Sequence, residues 1–219
     1  MLLIFDCDGV LIDSERILND VYRECLKEIG LDLSLDEVIK RFKGRSTKDC
    51  IIITEQLLGR PVPERQLNDK YKEIGMKRFY EEIRPIPGIK ETLEKLATRR
   101  CVASSSSHEH IRLGLELSGL TSYFTEGIYS SSDVSQGKPA PDLFLHAASK
   151  MGVAPEECVV VEDSPAGIEG AIAAGMQVLG FVDLTSEEEL RAAGAITFDN
   201  MMELPLLIDN LELRRLPKV

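Results

Sequence analysis

Six side chains that could take part in catalysis stand at or near the ends of short apolar runs in this sequence. They are four carboxylates, one hydroxyl and one ammonium: Asp6, Asp8, Glu162, Asp163, Ser104 and Lys138. Short apolar runs bounded by polar residues are typical of buried strands. Because ligands bind outside the carboxyl ends of the strands in an open parallel sheet, we expect these six groups to gather at one edge of a sheet.

Clustered carboxylates repel one another unless a cation lies between them. Oxygen ligands of this kind suit magnesium, which readily shares its coordination shell with a phosphate group. The ammonium of Lys138 would add positive charge for the same anion. Four carboxylates and a phosphomonoester would still outweigh these cations, and the crowding would raise one carboxyl pKa so that this group keeps a proton. The pattern therefore predicts a magnesium site that binds a phosphate ester.

Asp6 and Asp8 are two residues apart, so an extended backbone would direct both side chains to the same side. Gly9 would let the chain turn sharply and approach a ligand closely. Such a pair suits nucleophilic phosphoryl transfer, in which one carboxylate attacks phosphorus while the other protonates the leaving oxygen and later activates water. Magnesium and the lysine would stabilise the transition state electrostatically.

The elements that must position these groups follow a regular order. Apolar residues at helical spacing from Ile17 to Ile29, a capping box from Ser34 to Glu37 and two further amphipathic stretches predict four helices. After them, short apolar strands alternate with helices, which predicts a parallel sheet covered on both faces. We expect an α/β fold with a doubly wound parallel sheet from residues 1–14 and 84–219, and an all-helical cap domain inserted at 15–83.

Composition narrows the function further. The chain has 219 residues, 43% of them hydrophobic, and a net charge of -11. Such an acidic protein repels nucleic acid and anionic lipid, so neither is expected as a partner. The odd number of scattered cysteines favours a reducing compartment, and we expect neither a signal peptide nor a membrane span. We predict a cytoplasmic protein, a monomer or weak homodimer, that acts on a small phosphorylated metabolite.

Four segments resemble the four motifs of the haloacid dehalogenase-like superfamily, in that family's order. Phe5 to Leu11 resembles the first motif, Asp-x-Asp-Gly, and Val102 to Ser104 resembles the second. Gly137 to Asp142 resembles the third and Val161 to Gly167 the fourth. The predicted helical insertion also stands where the family has its cap. The resemblance implies a Rossmann-like core with an inserted cap.

The resemblance also implies a role for each of the six residues expected at the edge of the sheet. Asp6 would be the nucleophile and Asp8 the general acid and base, and the presence of Asp8 disfavours dehalogenation. The implied phosphate ligands are Ser104, Ser105 and Lys138. The implied magnesium ligands are Asp6, Asp8 through its carbonyl, Asp163, and Glu162 either directly or through water. Activity would then be magnesium-dependent hydrolysis through an aspartyl-phosphate intermediate.

The overall likeness is to the branch that contains beta-phosphoglucomutase, phosphoglycolate phosphatase and 6-phosphogluconate phosphatase. The segment from Arg41 to Gly44 resembles the sugar-phosphate phosphatases, which implies a small phosphorylated sugar or sugar acid as substrate. Leu18 aligns with a cap histidine of the mutase, which favours hydrolysis, but a phosphosugar mutase stays the alternative. A receiver-type signalling domain is a more distant alternative, since receivers have about 120 residues and no cap.

A basic cluster in the predicted cap could bind an anionic group of the leaving group. Its members are Lys40, Arg41, Lys43, Arg45 and Lys48. We predict that Lys43, Gly44 and Arg45 contact the substrate and that closure of this loop excludes water. The alternative is a merely solvated helix face.

Two other motif types do not fit the sequence. An EF-hand beginning at Asp6 would need glycine and glutamate where Leu11 and Ile17 stand, so a calcium loop is excluded. His108 and His110 follow the serine run, but no Gly-x-Ser-x-Gly elbow accompanies them. We therefore place both histidines in a loop or the first turn of a helix, without a catalytic role.

Overall fold

The computed structural model describes residues 1–43, 45 and 47–215. The chain divides into two compact units, one formed by Met1–Ile12 together with the chain from Arg84 onward, and the other by Asp13–Ile83. The strands of the first unit are β1 (Leu2–Phe5), β2 (Arg100–Ser104), β3 (Ile128–Ser130), β4 (Cys158–Glu162), β5 (Gln177–Phe181) and β6 (Ile196–Phe198). The helices of the second unit are α1 (Ser14–Glu28), α2 (Leu35–Phe42), α3 (Thr47–Leu58) and α4 (Glu64–Glu82). The helices of the first unit are α5 (Ile89–Lys95), α6 (His108–Leu117), α7 (Asp142–Met151), α8 (Pro165–Ala173), α9 (Glu187–Ala192) and α10 (Leu204–Arg215).

The sheet of the first unit is six-stranded and parallel, in the order β3-β2-β1-β4-β5-β6. The predicted α/β fold with a parallel sheet and flanking helices is therefore confirmed. The central strand β1 is wholly buried, which explains why its sequence is continuously apolar rather than alternating. Phe5 is in register with Val102 of β2 and Val161 of β4, so the three strands end together at one edge.

The two faces of β1 enter different parts of the core. Leu2 and Ile4 join a buried cluster with residues of α7 and α8. Phe5, which the strand period directs to the opposite face, meets Phe124 edge to face with ring centroids 5.8 Å apart. Packing on both faces holds the end of β1 rigidly, and this rigidity positions the residues that follow it.

The second unit is built from the four predicted helices. The buried face of α1 carries the periodic apolar residues, including Ile17 and Val21, and Gly30 follows the helix with a φ of 92°. The predicted capping box at the start of α2 is confirmed, because Glu37 N donates to Ser34 Oγ (3.3 Å) and Ser34 N donates to Glu37 Oε2 (3.0 Å).

Strand β4 extends one residue beyond its apolar run. Glu162 stays in register with Gly180 of β5, so a fully buried carboxylate stands on the strand itself rather than in the loop after it.

Among the described residues, no helix has the length and apolarity needed to cross a membrane.

Candidate active site

The six groups predicted at one edge of the sheet do lie at the carboxyl ends of β1, β2 and β4. We call this site the rim: the side chains of Asp6, Asp8, Ser104, Lys138, Glu162 and Asp163. Asp6, Ser104, Glu162 and Asp163 are all buried. Parallel pairing of β1 with both neighbours accounts for this convergence, because it places three strand ends side by side.

Lys138 joins two of the carboxylates. Its Nζ lies 2.6 Å from Asp6 Oδ1 and 2.6 Å from Glu162 Oε1, and it also donates to the carbonyl of Ala103 at 3.2 Å. Its side chain is only 5% exposed and lies over the ring of Phe144, 5.1 Å from the centroid. A buried ammonium needs such partners, since a buried charge is costly unless it is paired.

Glu162 is held on its other oxygen by the backbone that leads into α8. Glu162 Oε2 accepts from Asp163 N (2.9 Å), Ser164 N (2.9 Å) and Ser164 Oγ (2.8 Å). Ser164 also caps the helix by accepting from Gly167 N at 3.1 Å. A side chain at Gly167 would overlap the Glu162 carboxylate, so only glycine leaves this space open. These contacts fix the position of Glu162 relative to Lys138.

The charges of the rim shift the pKa values of its members. Burial raises the pKa of Asp6 well above its usual range; the Lys138 ammonium opposes this rise, and Glu162 and Asp163 add to it. Burial acts to lower the pKa of Lys138, but Asp6 and Glu162 more than reverse this effect, and the pKa is raised. Lys138 is therefore a permanent cation beside Asp6.

The donor set fits a hard cation. Asp6, Glu162 and Asp163 each offer a carboxylate oxygen, and these three atoms lie within 4.8 Å of one another. Gly9, with a φ of 82°, makes room for Asp163, because a Cβ there would overlap Asp163 Oδ2. An all-oxygen set of this kind is chemically suited to magnesium. The Asp8 carboxylate is not part of this group in the described chain, so a ligand from Asp8 would have to be its carbonyl, as predicted.

The carboxylate of Asp8 contacts the loop after β2 instead. Ser106 Oγ donates to Asp8 Oδ2 at 2.7 Å, and Ser104 Oγ lies 3.5 Å from the same oxygen. His110 Nε2 lies 3.2 Å from Asp8 Oδ1. Ser105, the other serine predicted to bind phosphate, is exposed, and its carbonyl accepts from Ser131 Oγ at 2.7 Å.

Sequence reasoning missed Ser106 and His110. Both histidines lie in the first turn of α6, as predicted, but only one reaches the rim. His108 Nε2 pairs with Asp133 at 2.9 Å, whereas His110 faces Asp8, and this contact raises the pKa of His110 although burial opposes the rise. Ser106 stands two residues after Ser104, the same spacing that separates Asp6 and Asp8. This spacing was the sequence signal that could have placed Ser106 at the rim.

The Asp13–Ile83 unit has its own cavity of about 210 Å³. Its lining is Glu15, Leu18, Asn19, Tyr22, Phe42, Lys43, Arg45, Thr47, Cys50, Asn68 and Tyr71. Lys43 Nζ lies 2.8 Å from Glu15 Oε2 and is largely buried. Arg45 is exposed, and its Nε donates to the Arg41 carbonyl at 2.6 Å. Two of the three predicted substrate contacts thus line one cavity, and the third, Gly44, lies outside the described residues.

This arrangement of buried carboxylates around a lysine, at the end of a parallel sheet, is chemically suited to phosphoryl transfer. The model of the haloacid dehalogenase-like hydrolase family matches residues 3–181. The chain therefore belongs to the haloacid dehalogenase-like hydrolases, and it is a phosphoric monoester hydrolase of that family.

Individual relatives agree over nearly the whole chain. A 6-phosphogluconate phosphatase of Escherichia coli (strain K12) is 31% identical over 205 residues, covering 94% of this chain and 93% of that protein. A phosphorylated carbohydrates phosphatase of Thermotoga maritima is 29% identical, covering 89% of this chain and 91% of its own. The structure of a haloacid dehalogenase-like protein of unknown function from Agrobacterium tumefaciens str. C58 has a TM-score of 0.90 and 40% identity, covering 96% of this chain and 98% of its own.

Proposed function

We propose that this enzyme hydrolyses the phosphate ester of a small sugar or sugar acid, with magnesium as cofactor and an aspartyl phosphate on Asp6 as intermediate. The observation that carries the proposal is the position of Lys138 between Asp6 and Glu162 at 2.6 Å from each, in a rim that also holds Asp8 and Asp163. The names of the two similar phosphatases support the substrate class.

Asp6 is the proposed nucleophile. An oxygen of its carboxylate forms a bond to phosphorus while the bond from phosphorus to the sugar oxygen breaks. Lys138 orients Asp6 and holds positive charge next to the transferring phosphoryl group, where negative charge spreads over the oxygens. Because Lys138 is buried and already paired, it needs no rearrangement at the moment of reaction.

Asp8 is the proposed general acid and base. Its proton passes to the sugar oxygen as that oxygen leaves, and in the second half-reaction Asp8 takes a proton from the water that attacks phosphorus. This water releases Asp6 as a carboxylate, so the products are the sugar and inorganic phosphate. Asp8 suits both steps because the hydroxyls of Ser106 (2.7 Å) and Ser104 (3.5 Å) face its Oδ2, and a hydroxyl can donate or accept as the protonation state of Asp8 changes.

Magnesium would be held by Asp6 and Asp163, with Glu162 close by or bound through water and the Asp8 carbonyl as a further predicted ligand. When bound, it neutralises charge on the phosphoryl oxygens and lowers the cost of crowding carboxylates. Ser104 and Ser105 remain the proposed phosphate contacts. The three clustered carboxylates of Asp6, Glu162 and Asp163 support the proposed magnesium ligands, and the Asp8 carbonyl is added from the family resemblance.

The cavity of the Asp13–Ile83 unit is the proposed recognition site for the sugar. It offers amides from Asn19 and Asn68 for hydroxyl groups and cations from Lys43 and Arg45 for a carboxylate. A sugar acid presents both kinds of group.

We also propose that residues 15–83 act as the cap domain and that residues 1–14 and 84–219 form the catalytic core. The protein would be a cytoplasmic monomer or weak homodimer.

The test is phosphate release from a panel of phosphomonoesters with and without magnesium. The panel contains 6-phosphogluconate, 2-phosphoglycolate, hexose 6-phosphates and beta-glucose 1-phosphate, with Asp6→Asn as control. We expect magnesium-dependent release that the variant lacks and that is fastest with a sugar acid. Release unaffected by Asp6→Asn would contradict the mechanism, and conversion of beta-glucose 1-phosphate without release would favour the mutase alternative.

A further inference from the structure

Asp8 is held from two sides by the chain that follows β2. Ser106 Oγ donates to its Oδ2 at 2.7 Å, and His110 Nε2 lies 3.2 Å from its Oδ1. A carboxylate that is engaged on both oxygens has a restricted orientation, which general acid catalysis requires. A hydroxyl can donate or accept, so Ser106 suits both protonation states of Asp8, whereas Nε2–H can only donate.

The two histidines of α6 make a natural comparison. They are two residues apart in the same first turn, yet His108 pairs with both oxygens of Asp133 (2.9 and 3.0 Å), outside the rim. Asp133 also accepts a hydrogen bond from Ser130 N at 2.9 Å, so the His108 contact connects α6 to the loop after β3. His110 Nε2 instead contacts Asp8, a carboxylate of the rim.

We propose that His110 is a positioning residue for Asp8: its Nε2–H fixes Oδ1 and thereby aims the carboxyl at the leaving oxygen. This inference rests on the proposed function, because it assigns a task to His110 only if Asp8 is the general acid. The group that His110 orients donates a proton to the leaving oxygen as the ester bond breaks. Loss of His110 should therefore matter most when that oxygen is strongly basic.

The experiment compares two esters that differ in the basicity of the leaving oxygen. p-Nitrophenyl phosphate releases a stabilised anion that needs little protonation, and phenyl phosphate releases a more basic one. With His110→Ala we expect kcat for phenyl phosphate to fall on the order of tenfold further than kcat for p-nitrophenyl phosphate, with little change in KM for either. An equal fall for both esters would overturn the proposal.

Three further variants separate positioning from general damage. His108→Ala is the matched control and should leave the ratio of the two rates unchanged. His110→Gln should recover part of the loss, because its amide can donate to Oδ1. In an Asp8→Asn background, His110→Ala should cause no further selective loss, since the residue through which it acts is already changed. Additive effects of Asp8→Asn and His110→Ala on the rate ratio would contradict the proposal. Thermal unfolding checks that each variant is folded.

The experiment distinguishes failure of the proposed phosphatase mechanism from failure of the inference about His110. If wild-type protein releases phosphate from both esters and Asp6→Asn does not, the phosphatase mechanism stands, and the rate ratio decides the role of His110. If Asp6→Asn retains full activity, both proposals are overturned.

Discussion

The rim and the cavity of the Asp13–Ile83 unit differ in how firmly their charged groups are held. At the rim, the side chains of Asp6, Lys138 and Glu162 are at most 10% exposed, and Lys138 Nζ lies 2.6 Å from an oxygen of each carboxylate. In the cavity, Lys43 Nζ pairs with Glu15 at 2.8 Å, and Arg45 is exposed. In the proposed function, the chemistry at phosphorus is the same for every phosphomonoester and needs fixed groups, whereas recognition of the sugar would tolerate adjustable ones.

The difference in burial also determines how strongly the charged groups interact at the rim and in the cavity. Charges that are buried and unscreened interact much more strongly than charges in contact with water. A change at the rim should therefore alter turnover by large factors, while a change in the cavity should alter substrate affinity by smaller ones. The following predictions test this contrast in order of decreasing effect.

Asp6→Asn should lower turnover by about 10⁴-fold or more, because an amide cannot attack phosphorus and cannot be regenerated as a leaving carboxylate. The measurement is phosphate release at saturating magnesium and substrate. Asp209→Asn, the same change at an exposed position of α10, is the matched control and should have wild-type activity. Turnover within tenfold of wild type would show that the rim acts through another nucleophile.

Gly167→Ala should lower kcat roughly ten- to a hundredfold by displacing the Glu162 carboxylate, which occupies the space of the new methyl group, from Lys138. The magnesium concentration for half-maximal activity should rise as well. Gly75→Ala is the control, since a methyl there meets only Leu18 at an ordinary 3.4 Å and alanine favours the helix by about 1 kcal/mol. Unchanged kcat and magnesium dependence in Gly167→Ala would mean that Glu162 does not act at the rim.

Arg45→Ala should raise KM for a sugar acid phosphate about tenfold while changing kcat little, because it removes a cation that contributes to binding only. KM for p-nitrophenyl phosphate, which has no second anionic group, should stay the same. Lys40→Ala removes an exposed charge of the same basic cluster that does not line the cavity, and it should change neither value. A normal KM for every substrate in Arg45→Ala would refute recognition by the cavity.

Tyr22→Phe should make the stability of the Asp13–Ile83 unit less dependent on alkaline pH. Burial raises the pKa of Tyr22 to about 12, although its hydrogen bond with Thr54 (3.1 Å) opposes this. The folded state thus keeps a proton that the unfolded state loses above pH 10, so the stabilisation is complete below pH 10 and is lost as the pH rises towards 12. Each such group contributes at most about 1.4 kcal/mol per pH unit.

The measurement is the free energy of unfolding in urea at pH 7, 10 and 11.5. Between pH 10 and 11.5 the variant should lose roughly 1–2 kcal/mol less than the wild type. At pH 7 it should be weaker by about 1 kcal/mol for the lost hydrogen bond. Tyr80→Phe, at an exposed tyrosine of α4, should leave the alkaline slope as it is. Identical slopes in wild type and Tyr22→Phe would contradict the prediction.

Much of the fold was predictable because its signals are local. The apolar run of β1, the capping box at Ser34 and the glycine after α1 each follow from the properties of a few neighbouring residues. Apolarity alone would end β4 at Val161, one residue short of its end in the structure, because Glu162 is polar. Its pairing with Gly180 and its contact with Lys138 keep it in the sheet.

The roles of the rim residues were less predictable, because they depend on orientation. Spacing placed Asp6 and Asp8 on the same side, but their carboxylates have different partners: Lys138 for the first, and Ser106 and His110 for the second. Asp8 and His110 are 102 positions apart, and no local pattern relates them. His108 and His110 look alike in the sequence, and only the fold distinguishes them.

The sequence by itself determined the types of chemical groups and the strand ends on which they stand, since residue identity and periodicity decide both. The tertiary structure decided which oxygen faces which donor. The reason is physical: the orientation of a side chain is selected by packing and hydrogen bonds from segments far away in the chain. Here β1, β2 and β4 bring those segments together, so that Lys138 meets Asp6 and Glu162 while His110 meets Asp8.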